Sequence, residues 1–228
     1  MQWFTGLALG MVLLGGQTAT ETPLTEDGLR AWLVNGGAVE ANRKLIHEQF
    51  AVQRAKLPAW WPAAVADQEE EAMQAIDMAH VALPFYQPCM TDPEARLLAK
   101  MALTKAGKRV STAAMDAHSK EMEGGMSATN AQQAGEDAAA AARRKLSRQE
   151  TRDTAAAFTP SENAYASKHF TPARVAVFKK CTDQAFAQLS GEVGKLELAA
   201  INDVIEKNRP LLVEAKTAWV KTHPEDAQ

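Results

Sequence analysis

The stretch Val193-Gly194-Lys195-Leu196-Glu197-Leu198-Ala199-Ala200-Ile201-Asn202-Asp203-Val204-Ile205 decides the fold class. Val193, Leu196, Ala200, Ile201, Val204 and Ile205 recur at steps that keep them on one helix face. The same period extends upstream through Val175, Phe178, Cys181, Phe186 and Leu189, after the helix start Thr171-Pro172. It extends downstream through Leu211, Leu212, Ala215 and Trp219, after Pro210. No segment alternates as a strand should. Composition agrees, with 44 alanines among 228 residues and only 6% aromatics. Alanine is the best helix former and a poor strand former, which excludes an all-β protein. The expected fold is all-α: an antiparallel helical bundle of about six to eight helices behind an N-terminal signal segment.

The remaining helices are set by caps and stops. Thr25 caps a short helix to about Val34, ended by Asn35-Gly36-Gly37. A second runs from about Ala38 to Lys56 on Leu45, Ile46, Phe50 and Leu57. Pro62 opens a third, whose stripe is Val65, Ala72, Met73, Ile76, His80 and Leu83, with Asp67, Glu69, Glu70 and Glu71 opposite. Pro84 to Pro88 should break it. Thr91 or Asp92 caps a fourth helix with Leu97, Leu98, Met101 and Ala102 inward, and Gly107 marks a break or kink. Its continuation ends at Gly124-Gly125. A long alanine-rich helix is expected over about 128–157, containing Ala138 to Ala142 and few bulky residues. Such a helix should be only partly buried, and its small-residue face suits close approach by another helix, including a second copy of the chain. Thr159 to Thr171 reads as a polar loop.

The N-terminus bears on compartment. Residues 1–20 carry no charged side chain, and Trp3 to Gly16 are apolar or glycine apart from Thr5. That length suits the apolar core of a signal peptide and is short for a membrane span. Small residues come next at Gly15, Gly16, Thr18, Ala19 and Thr20, so the mature chain should begin between about Gly16 and Thr22. The expectation is a signal peptide over 1–20, a single all-helical domain over 21–228, and export to the periplasm or the medium. No membrane span is expected in the mature protein.

Cys89 and Cys181 are the two cysteines, 92 positions apart. An even count in an exported chain reads as a disulfide; the competing reading is two free buried thiols. No Cys-x-x-Cys spacing supports zinc. A net charge of −3 argues against a nucleic-acid partner. The basic cluster Arg143, Arg144, Lys145, Arg148 and Arg152 is interleaved with Glu136, Asp137, Glu150 and Asp153, as on a solvated face.

The sequence carries no nucleophile elbow, no zinc-protease helix and no phosphate loop. Asp77 and His80 stand at one carboxylate-x-x-His step, but a di-metal carboxylate bundle needs two. Met115, His118, Met122 and Met126 fall at steps of three, four and four, which on a continuous helix form one stripe. Thioether and imidazole ligands suit copper, Cu(I) especially, whereas the plain reading is core packing with methionine as filler. The expectation is therefore an exported protein without catalytic activity or cofactor, acting through surface contacts with a protein or envelope component. Copper binding by the Met/His stripe is the alternative.

Overall fold

The computed structural model describes residues 22–123 and 128–224. Residues 1–20, where a signal peptide is expected, and Met126 lie outside them. Among the described residues the chain is an all-α helical bundle. Eleven helices occur there: α1 Glu26–Asn35, α2 Ala38–Arg54, α3 Ala63–Gln74, α4 Met78–Tyr86, α5 Asp92–Leu103, α6 Lys105–Glu123, α7 Ala128–Arg144, α8 Arg148–Ala156, α9 Pro160–His169, α10 Pro172–Lys207 and α11 Arg209–Thr222.

That is more helices than expected, because local signals cut three long segments. The third expected helix splits at Ala75, whose N–H closes the end of α3 onto Glu71 and Met73 carbonyls. The split shifts the phase of the next helix. Ala79, Ala82 and Tyr86 face inward instead of His80, which is exposed and paired with Glu26 at 3.0 Å. Pro84 does not break α4 but sits inside it. The fourth expected helix breaks at Thr104 rather than Gly107. Gly107 answers to packing: a side chain there would overlap the backbone carbonyl of Met101.

The alanine-rich helix over 128–157 is likewise two helices, α7 and α8. Ser147 takes an extended backbone and its side chain accepts the Glu150 N–H, while Glu150 reaches back to the Ser147 N–H. This reciprocal cap starts a new helix there. The polar loop expected at 159–171 is mostly helix α9, started by the same device at Thr159 and Glu162 with Pro160 at its first position.

The chain forms two compact units. The larger comprises residues up to Ala41 and Met78–Ser190. Its centre is Trp32 of α1, fully buried, with Tyr86 edge-on at 5.7 Å and Phe178 at 6.1 Å. Beside it, Leu97, Phe158 and Ala166 join α5 to α9. A further layer is built from small residues. Val110 and Ala114 of α6 meet Ala139 of α7, and Gly135 lies so close that a Cβ would sit 3.0 Å from the Ala114 carbonyl oxygen. Ala131 and Ala139 are both fully buried. The small-residue face of α7 is thus occupied by α6 of the same chain.

The smaller unit comprises Asn42–Asp77 and Gly191–Gln228. Ile46, Phe50 and Met73 form one cluster with Ile201 packed on it. Val65, Val204 and Leu212 form another, flanked by Trp60, Trp61 and Ile205. Ile201, Val204 and Ile205, from one helical stripe, are α10's share of both. Glu69 is buried on α3, and burial pushes its carboxyl above the usual range. The expected acidic face of the third helix therefore has one member turned inward.

Candidate functional site

Cys89 and Cys181 form a disulfide, with Cα atoms 5.4 Å apart. It fastens the segment between α4 and α5 to α10. A buried polar network surrounds it. Glu94 is 2% exposed and closes a reciprocal cap with Thr91 at the start of α5. Arg174 of α10 donates to both Glu94 oxygens, at 3.0 Å from Nε and 2.8 Å from Nη2, and also to the Cys89 carbonyl at 3.1 Å. This two-pronged geometry is the strong form of the ion pair. The Tyr165 hydroxyl lies 3.3 Å from that of Thr91 and adds α9 to the network.

The N-terminal segment is stitched to the same place. Pro23 makes an antiparallel bridge with Thr91, and the Asp92 N–H donates to the Thr22 carbonyl at 3.1 Å. Asp92 also accepts from the Thr25 hydroxyl and N–H and from Arg96. Burial works most strongly against its ionisation, but these bonds together outweigh it and hold the carboxyl below its ordinary range.

Next to this junction, α1, α5 and α9 border an open groove of about 530 Å³. Leu97 and Leu103 line it from α5, Ala31 and Asn35 from α1, Tyr165 from α9. Leu103 is half exposed, at 52%. The charged groups on its rim are engaged with neighbours. Lys100 donates to both oxygens of Glu162 at 2.7 and 2.9 Å and lies over the Phe158 ring. Arg96 is held by Asp92 at 2.6 Å. Ser161 has the Thr159 hydroxyl at 3.1 Å, which is no base for activating a nucleophile. An apolar floor with a polar rim can bind by burial of apolar surface. It offers no assembled acid, base or nucleophile.

Of the Met/His stripe, Met115, His118 and Met122 lie on α6, and Met126 lies outside the described residues. Met115 on α6 packs towards Gly37, whose positive φ of 81° makes the turn into α2. His118 is buried against Gly135 of α7, and burial pushes its imidazole below the ordinary value. Met122 lies in the last turns of α6. Among the described residues no group of three or more His, Cys, Asp or Glu could hold a metal ion. In the basic cluster, Arg143 is half-buried, whereas Arg144, Lys145, Arg148 and Arg152 are exposed.

Sequence reading misses the groove and the Glu94–Arg174 pair. The caps Thr91-x-x-Glu94 and Thr159-x-x-Glu162 are signals for two of the groove's borders, since they fix where α5 and α9 begin. The chain matches no family model, no curated protein and no solved structure. No helix among the described residues is long and apolar enough to cross a membrane.

Proposed function

We propose that the protein is exported and acts through contacts made by its surface, with the α1–α5–α9 groove as the contacting face. The observation that carries the export reading is the Cys89–Cys181 disulfide, since such a bond persists in oxidising compartments and is rare in reducing ones. The apolar, uncharged segment ahead of Glu21 supports it independently. The contact reading is supported by the groove's apolar floor and by the absorption of its rim charges into fixed pairs.

The export test is fractionation of cells expressing the full chain with a C-terminal epitope. The expected product lies outside the cytoplasm, starts between Gly16 and Thr22, and migrates faster on a gel without reductant. Cytosolic protein retaining Met1 and two free thiols would sink the reading. For the contact, a photo-crosslinking residue at Leu103 should give a discrete adduct that is absent when the same residue is placed at Val177, which is also exposed. Matching adduct patterns from the two positions would remove the groove from consideration.

A further inference from the structure

We infer that Thr22–Gly28 is a latch whose closure shields the leader junction, so that the leader is cut efficiently only while the latch is open. The inference rests on the export reading. Every residue at the start of this segment is committed to the body of the larger unit. The Thr22 carbonyl accepts from the Asp92 N–H at 3.1 Å, and Pro23 bridges to Thr91. Leu24 is 1% exposed and its carbonyl accepts from Gln87 Nε2 at 3.2 Å. Thr25 binds Asp92 through its hydroxyl and N–H. Gly28 lies so close to the Asp92 carboxylate that any side chain there would overlap it.

The platform under the latch, Gln87 to Asp92, is itself fixed. It holds Cys89, bridged to Cys181, and the Cys89 carbonyl accepts from Arg174. The small-residue region that a leader peptidase would read ends at Thr20, two residues before Thr22. Two extended residues reach at most about 7 Å. A protease that reads its substrate as an added strand needs free backbone on both sides of the scissile bond. Beyond Glu21 that backbone is already engaged by Asp92 and Thr91. In cleavage, water adds across the amide: the acyl carbon takes the hydroxyl and the nitrogen leaves as the new α-amine. In a folded chain this step is limited to molecules whose latch has opened.

The test uses three substrates for a purified leader peptidase in detergent, with the products read by mass spectrometry. They are the oxidised full chain, the same chain with Gly-Ser-Gly-Ser-Gly-Ser inserted between Glu21 and Thr22, and a peptide of residues 1–30. The insertion leaves every latch contact in place and only lengthens the tether. The peptide and the inserted chain should be cut at similar rates, and the unmodified chain at least about tenfold more slowly. Equal rates for the two full chains, whether both fast or both slow, overturn the latch. A peptide that is not cut overturns the export reading and the latch with it.

Discussion

Three helix starts among the described residues use the same four-residue device, and two of them live in sharply different surroundings. At Thr91–Glu94 the capping carboxylate is buried, gripped by Arg174, and stands beside the disulfide. At Ser147–Glu150 the cap sits at the surface, and its carboxylate meets Arg109 at 3.0 Å with both partners partly in solvent. Helix α8, which that second cap starts, has no buried residue. The motif starts a helix in either place, and what it fastens depends on the neighbours. Locally it satisfies two backbone N–H groups. Only at α5 do a distant arginine and a covalent bond convert it into a tertiary anchor.

The comparison breaks most completely if the disulfide is removed. Replacing Cys89 and Cys181 together by alanine should cost about 4–5 kcal/mol, as expected for a closed loop of this size. Urea unfolding measures it, and a loss below about 1 kcal/mol would mean the network holds the junction unaided. Next comes Arg174→Met, which leaves Glu94 buried without its cation and should cost about 3–4 kcal/mol. The matched change Arg109→Met at the surface box should leave the urea midpoint nearly unmoved, as exposed pairs do.

Truncating the caps themselves gives a smaller contrast. Thr91→Ala should cost about 2 kcal/mol, because a buried acceptor is lost, and Ser147→Ala about 1 kcal/mol. Equal costs would show that burial adds nothing to the motif. The smallest effect is a titration. Hydrogen bonds from the Ser147 N–H and hydroxyl, then Arg109, hold the Glu150 carboxyl down to about 2, from an ordinary 4.5. A lowered carboxyl lends stability that is complete above its unfolded value and is lost as pH falls towards the folded one. NMR should therefore show Glu150 titrating near pH 2, with α8 loosening as pH drops from 4.5. A midpoint at the ordinary value would mean the surface box is open in solution.

Much of this architecture is written in short-range patterns. Thr25, Thr91 and Thr171 mark helix starts, Gly36-Gly37 marks a stop, and the cysteine pair marks a bridge. The Ser147 and Thr159 caps are equally present in the sequence but are outweighed there by composition. The alanine run suggests one continuous helix, and the Ser, Asn and Thr content suggests a loop. Intrinsic propensity is a weak guide beside two satisfied N–H groups at a cap. A single apolar stripe misplaces His80 because it carries one phase across the break at Ala75, where the phase changes. The groove is illegible for a different reason. It unites Ala31, Leu97 and Tyr165, more than sixty residues apart in each step, and no local period records which helices become neighbours.

The pairing of α6 with α7 has one more consequence. Backbone meets backbone there across Ala114, Gly135 and Ala139, so little hydrocarbon is hidden from water for the number of residues involved. The sensitivity of an opening reaction to denaturant, and the heat capacity it absorbs, both scale with the surface it uncovers. Separation of these two helices should therefore depend weakly on urea and absorb little heat capacity. Opening the Trp32 cluster, by contrast, uncovers large aromatic faces and carries the steep response of global unfolding.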